Sequence, residues 1–372
     1  MTLYNLGEAG AAWNVVAIGG FVAFLGSAAL PVLARSRTHS ARRKPLNAPT
    51  PCSSIDVVVP AYLEVGTVAA KIASLRAAFA TYPGAARVIV VAGDAATAAA
   101  AANADVVIQS GRTGKATACN IGAENSGADI VVFTDANCEI LPLEWPRLTA
   151  NALRHFDLVS GRKGESGGVE QLFWRFEDAL KKSNPRSETL AVAGEFIATP
   201  RATFVPIPAG AILDDFVLAA GYVNRGLSVG VESGIRTIEP AAAPSEQWER
   251  RVRIAHGLLA EAIPVASRLA RYPVGRKFLL HKVYRVTVGC LGFWACVLAA
   301  TAVVPPAALL VVPSLAYANL VYRGVLRCPR WLAPVVAVVG MQFVPPVALT
   351  RAVKGRLGRA ERSTQLWRKV AR

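Results

Sequence analysis

The chain has 372 residues, with 41 Lys and Arg against 25 Asp and Glu, a formal net charge of +16. Hydrophobic residues make up 53% and the mean hydropathy is +0.37, which excludes an ordinary soluble enzyme. The charge does not indicate nucleic acid as a partner, because residues 45–246 carry 16 basic against 21 acidic side chains, a net of −5. The basic excess lies in 35–44, 250–285, 323–330 and the tail, each beside an apolar segment. That is the arrangement of a basic belt at anionic headgroups, so membrane lipids are the expected partner.

In chain order, Trp13 to Leu33 carries no charge and is long enough to span a bilayer. Glu8 is the only charge before it, so it does not read as a signal peptide. The basic cluster Arg35, Arg37, Arg42, Arg43 and Lys44 follows, which places the N-terminus outside and the next segment in the cytoplasm. The expected divisions are an anchor over 1–34, a basic linker over 35–51 and a cytosolic α/β domain over 52–246. In that domain, β-rich runs at Ile55–Pro60, Arg87–Val91, Asp105–Ile108 and Ile130–Thr134 alternate with helix-like stretches. The helical stretches are Val65–Ala80, Ala95–Ala102 and Lys115–Asn125. This alternation predicts a Rossmann-like parallel sheet covered by helices, with ligands beyond the carboxyl ends of the strands.

Residues 247–285 read as amphipathic, basic helices lying on the membrane surface. Residues 286–350 read as a hairpin broken near Pro305 and Pro306, then a third apolar segment; 351–372 is a basic tail. Counting spans puts this tail outside, whereas its charge asks for the inside. Pro345 and Pro346 make the last segment the one expected to be re-entrant or interfacial. The six cysteines show no ligand spacing, so a reduced compartment without disulfides or zinc is expected.

Four short stretches carry chemistry. In "FTDANC", Asp135 and Asn137 end an apolar strand; they form either a turn or oxygen ligands for Mg²⁺ or Mn²⁺. In "ILDDFVL", Asp214 suits a helix cap and Asp215 a general base whose pKa is raised by burial and by its neighbour. In "QWERRVR", the arginines form either a lipid-facing helix side or, with Gln247, a grip on a pyrophosphate. "GRTGKATACN" places Arg112 and Lys115 at a helix start suited to an anion, without the spacing of a P-loop.

Taken together and in order, "VVVPAYLEVGTV", "GRTGKATACNIG", "FTDANC", "GGVEQLFWRFEDAL", "AGEFIATPR", "ILDDFVL" and "QWERR" resemble the family 2 glycosyltransferases. The likeness is to the membrane-embedded type that includes hyaluronan, chitin and cellulose synthases, and it runs from about Ser54 to Arg285. It implies a GT-A-like domain flanked by transmembrane helices and an inverting transfer from a nucleotide sugar, a UDP-sugar by expectation. A glycan or lipid acceptor is implied, in the plasma membrane with a cytosolic catalytic domain. The resemblance assigns Pro60, Ala61, Tyr62, Glu64, Lys115 and Asn120 to the nucleotide, and Asp135 with Asn137 to the metal. It assigns Asp215 as the base, with Asp214 beside it on the substrate, and Gln247, Arg250 and Arg251 to the diphosphate. Glu170, Trp174, Glu177, Gly194 and Arg201 fall on the acceptor side.

Three positions depart from the family pattern. Leu63 replaces the Asn of the first motif. "AGDAATAAA" stands where Asp-Gly-Ser-Thr-Asp is usual, leaving Asp94 as stand-in for the first Asp. Arg251 replaces a tryptophan linked with chain growth; this and the short membrane part favour single transfer to a lipid, whereas the amphipathic belt and Gln-x-x-Arg favour a synthase. A catalytically inactive partner of a synthase is the remaining reading.

Overall fold

The computed structural model describes residues 2–35, 45, 47–164, 188–239 and 243–357. Glu170, Trp174 and Glu177, most of the basic linker and most of the basic tail lie outside the described residues.

The predicted strands and helices form in the predicted order. Strand β1 (Ile55–Ala61) pairs in parallel with β2 (Ala86–Ala92) and β4 (Ile130–Thr134), and β2 pairs in parallel with β3 (Val106–Gln109). The apolar run of β1 is buried on both faces because helices cover both. Val57 and Val59 pack with α2 (Val68–Phe79), while the alternate Val58 packs with α4 (Lys115–Glu124). Between them, α3 (Ala95–Ala100) is a short connection from β2 to β3.

The second half of the sheet is mixed. After β5 (Glu139–Leu141) and α5 (Trp145–Ala152) come β6 (Leu158–Gly164), β7 (Phe196–Pro200) and β8 (Val229–Ile238). Strand β7 runs antiparallel between β4 and β6, and β6 and β8 are parallel. Among the described residues the sheet has eight strands, in the order β3-β2-β1-β4-β7-β6-β8-β5. It remains an α/β fold with a mainly parallel sheet, in which β7 carries its chain away from the ligand edge.

Among the described residues, four helices are long and apolar enough to cross a membrane: Ala11–Leu33 within α1 (Thr2–Arg35), α8 (Pro273–Val303), α9 (Pro305–Tyr322) and α10 (Ala333–Lys354). Helices α1 and α8 touch through glycines. A Cβ on Gly20 would stand 2.7 Å from the Gly292 carbonyl, and one on Gly292 would stand 2.5 Å from that of Gly20. The expected break at Pro305 and Pro306 divides α8 from α9. Helix α8 is continuous over 31 residues, so its basic first turns and its apolar part belong to one helix and the expected division at 285 falls inside it. Helix α10 is interrupted by a 3₁₀ turn at Met341–Phe343, just before Pro345 and Pro346.

Two further helices join sheet to apolar helices. Helix α6 (Asp214–Asn224) packs on the sheet. Helix α7 (Pro244–Gly257) places Trp248, Val252 and Ala255 against Tyr322, Val344 and Ala348.

Candidate active site

The carboxyl ends of β1 to β4 open into a cavity of about 150 Å³. Pro60, Ala61, Tyr62 and Glu64 line one side, and Lys115, Asp135 and Asn137 the other. The guanidinium carbon of Arg112 sits 5.5 Å from the centre of the Tyr62 ring, a cation–π contact at the mouth. Gly114 has φ +87°, a conformation other residues adopt only with strain, and it turns the loop so that Lys115 opens α4.

Lys115 is the hub. Its ammonium lies 2.7 Å from Asp135 Oδ1 and 3.6 Å from Asp214 Oδ2, and it donates to the Gly194 carbonyl at 3.1 Å. Burial works to lower its pKa, but Asp135 and Asp214 override that and hold it well above the ordinary lysine value. Lys71 supports the same loop from below. It is 4% exposed and donates to Thr134 Oγ1 at 2.9 Å and to the Cys138 carbonyl at 2.7 Å, clamping both ends of the Asp135–Asn137 turn.

Lys115 and Asp135 also line a second cavity, of about 280 Å³. Asp214 and Asp215 enter it from the first turn of α6, and Gly194 from the loop before β7. Burial, then the neighbouring Asp214 charge, pushes the Asp215 carboxyl up to about 7. Glu261 positions this turn by accepting from the backbone N–H groups of Ile212 at 2.7 Å and Leu213 at 2.9 Å.

A charge network forms another wall. Lys163 Nζ lies 2.6 Å from both Glu195 Oε1 and Glu239 Oε2, and Arg250 reaches the same two oxygens at 2.8 and 3.0 Å. Burial alone would raise the Glu195 carboxyl; Lys163 and Arg250 reverse this and hold it far below the usual carboxylate range. Arg250 and Arg251 both line the larger cavity, Arg250 with its guanidinium on these two glutamates.

Four expected site residues lie elsewhere. Asp94 caps α3: its carboxylate accepts from Thr97 N and Thr97 Oγ1, each at 2.8 Å, and from Leu63 N at 2.8 Å. It shapes the Tyr62 loop rather than facing the cavity. Asn120 uses both ends of its amide on Ile207, donating to the carbonyl at 2.8 Å and accepting from the N–H at 2.9 Å. Gln247 sits in the first turn of α7 and lines neither cavity. Arg201 is at the opposite edge of the sheet, where its N–H bonds the Asp129 carbonyl. Strand β7 is antiparallel to β4, and five residues at about 3.4 Å each carry Arg201 away from Gly194.

Sequence reasoning missed Lys71, Lys163, Glu195, Glu239 and Glu261. Two of them left a signal. Glu195 interrupts the apolar run "AGEFIATP" as Asp135 interrupts its own, and Lys71 occupies the buried stripe of α2 with Val68, Ile72 and Leu75.

Residues 56–212 match the family model described as Glycosyl transferase family 2. Among solved structures, the chain is similar to a mannosyltransferase from Pyrobaculum calidifontis in complex with GDP-Man and Mn²⁺. Identity is 20% and the TM-score 0.65, over 92% of this chain and 99% of that one. It also matches a glucosyl-3-phosphoglycerate synthase from Mycobacterium tuberculosis in complex with Mn²⁺, UDP-glucose and phosphoglyceric acid. There identity is 20% and the TM-score 0.41, over 56% of this chain and 79% of that one. No curated protein matches the chain. The fold is thus the GT-A-like one that the motif series implied.

Proposed function

From the match of residues 56–212 to the Glycosyl transferase family 2 model, we propose that the chain is an inverting membrane glycosyltransferase. It moves a sugar from a nucleoside-diphosphate sugar, a UDP-sugar by the motif series, to a polysaccharide or glycolipid acceptor. The observation that carries this is the shared wall. Lys115 and Asp135 stand in both cavities, so a donor diphosphate in the smaller meets an acceptor entering the larger beside Asp215.

The nucleotide end of the donor lies against Tyr62 and Arg112 and its diphosphate near Lys115. Asp135 and Asn137 offer one carboxylate and one amide oxygen. Among the described residues, no group of three or more acidic, His or Cys side chains is placed to enclose a metal. That donor set fits a hard cation, Mg²⁺ or Mn²⁺, that takes its remaining oxygens from the diphosphate and water. When bound, the cation would neutralise charge on the departing diphosphate. Lys115 contributes to the same end from its fixed position. Asp215, with its carboxyl near neutrality, takes the proton from an acceptor hydroxyl as that oxygen attacks the anomeric carbon. One displacement from the opposite face inverts the configuration.

The four apolar helices hold this machinery at the plasma membrane, with the basic flank after α1 keeping the catalytic domain cytosolic. The test is Asp215→Asn in the purified full chain, supplied with radiolabelled nucleotide sugars and Mn²⁺. Transfer is expected to fall about a thousandfold while nucleotide binding stays. Transfer at the wild-type rate would remove Asp215 from the chemistry.

A further inference from the structure

Asp215 follows a stretch of chain with no regular structure to place it. After β7 and the 3₁₀ turn Arg201–Thr203, residues 204–213 form neither helix nor strand before α6 begins at Asp214. Such a segment is placed by the groups its ends bond. The far end of α6 belongs to the sheet: Tyr222 is buried, and its hydroxyl lies 2.7 Å from Thr199 Oγ1 on β7. The near end is held differently. Leu213 stands at the N-cap, and a leucine has no side-chain oxygen to offer a helix start. Glu261 supplies a carboxylate there instead, one oxygen accepting from the Ile212 N–H at 2.7 Å and the other from the Leu213 N–H at 2.9 Å. A negative charge at that place also suits the helix dipole.

Glu261 lies in Leu258–Ala262, the continuation of α7, and two more contacts reach the base turn from the same side. Neither involves that carboxylate. The buried Leu213 lies against Gly257, the last residue of α7, where a Cβ would stand 2.4 Å from Leu213 Cγ. Phe216, in the first turn of α6, stacks on Phe278 of α8, with ring centres 4.9 Å apart and planes 14° apart. Residues 212–216, on both sides of Asp215, are thus held by two hydrogen bonds, a close packing contact and a ring stack. All come from the stretch that docks on the apolar helices through Trp248, Val252 and Ala255. From the donor side, Lys115 reaches Asp214 at 3.6 Å, beyond hydrogen-bond range.

We propose that Glu261 is the positioning residue of the base, and that it ties the placement of Asp215 to the docked helices α7 and α8 rather than to the donor site. This rests on the glycosyltransferase reading, with Asp215 as its base. Donor binding and base placement are then set by different parts of the chain. The donor cavity is walled by the loops of the parallel sheet and keeps its shape when the docking loosens. The turn carrying Asp215 does not, because its N–H groups lose their acceptor and Leu213 its seat. A chain with loosened helices holds its donor without transferring the sugar, and regains transfer when the helices dock.

Amide hydrogen exchange read by mass spectrometry tests this on the full chain in detergent micelles, without any donor. Glu261→Gln keeps the shape of the side chain but sets an NH₂ against one of the two N–H groups. Gly257→Ala displaces Leu213 with Glu261 intact, so the test stands if either variant fails to fold, as a size-exclusion profile shows. Both are expected to speed exchange over residues 212–216 about tenfold and to leave residues 111–120 unchanged. Unchanged exchange over 212–216 overturns the proposal, and so does an equal rise over 111–120. Glu261→Gln is then compared with wild type in membranes supplied with Mn²⁺ and radiolabelled UDP-glucose or GDP-mannose. Misplacing a reacting group by about 1 Å costs about a hundredfold, so the maximal rate is expected to fall between about tenfold and that limit. The donor concentration giving half that rate should stay within about twofold. A rise in that concentration at an unchanged maximal rate overturns the positioning role. UDP and GDP binding with Mn²⁺ is measured on the same wild-type sample. Faster exchange in the variants without nucleotide binding by the wild type counts against the glycosyltransferase reading alone; nucleotide binding with unchanged exchange overturns the positioning role alone.

Discussion

The two cavities share Lys115 and Asp135 but are built in different ways. The smaller draws its walls from the loops after β1, β2, β3 and β4, all within residues 60–137. The larger gathers residues from Lys115 to Pro345, taken from the sheet, from α6 and α7, and from three apolar helices. The first is the rim of a parallel sheet whose register fixes it. The second exists only while the catalytic domain and the apolar helices stay docked. Changes to the docking should therefore damage the larger cavity and spare the smaller.

The network around Glu195 gives the largest effect expected from this difference. Glu195→Gln takes one carboxylate from the buried Lys163 and the half-buried Arg250, and breaking a buried pair costs about 3 kcal/mol. The melting temperature should fall by several degrees, read by thermal denaturation in detergent. Nucleotide affinity should stay within about twofold, because neither Lys163 nor Arg250, the ion-pair partners of Glu195, is among the residues that line the smaller cavity. A matching loss of nucleotide affinity would mean that the two cavities are one cooperative unit.

Next in size is the metal pair. Asp135→Ala should weaken Mn²⁺-dependent nucleotide binding about thirtyfold, and Asn137→Ala only about threefold, since a neutral amide holds a dication less well than a carboxylate. Calorimetric titration of UDP and GDP with Mn²⁺ reads both. Asp135 also anchors Lys115, which reaches Asp214 in the larger cavity, so its loss should lower transfer more than binding. Equal effects of the two variants would count against Asp135 as the principal ligand.

A pH profile comes third. The Asp215 carboxyl sits at about 7 against an ordinary 3.8, so the basic form is lost as pH falls below neutrality. Transfer should drop about tenfold per pH unit below 7 and level off above it. Stability runs the other way. A raised carboxyl favours the fold most below the unfolded value of 3.8, and that contribution is lost as pH rises through about 7. Asp215→Asn should therefore gain in melting temperature over wild type at about pH 8 and not at about pH 4. A flat difference would show that Asp215 is not buried as a neutral acid.

The same contrast explains what the sequence made legible. Pro60, Tyr62, Asp135 and Asn137 sit where a strand ends and a loop begins, and Lys115 where such a loop opens a helix, so local pattern alone placed them together. The first four strands and the apolar helices followed from runs of Val, Ile and Leu. Asp94 and Asn120 were misplaced because the same chemistry that suits a ligand also suits a backbone partner, and only packing decides between them. Arg201 was misplaced because the direction of β7 is set by its neighbours in the sheet, not by its own residues. Lys163, Glu195, Glu239 and Arg250 come from four separate segments, and no spacing rule joins them.

The smallest expected effect separates two ways of docking α7 on α10. Arg351 grips Glu249 with two hydrogen bonds, at 2.7 and 3.0 Å, and looks like the clasp. Its side chain is 40% exposed and that of Glu249 58%, so solvent screening leaves such a pair under about 1 kcal/mol. Val252, fully buried beside Trp248, Tyr322 and Val344, offers an apolar alternative. Val252→Ala removes two buried carbons, at a cost of roughly 1.5 kcal/mol. Thermal denaturation should rank the loss in Val252→Ala above that in Arg351→Ala. The reverse ranking would make the clasp between the halves electrostatic, and docking would then loosen with added salt.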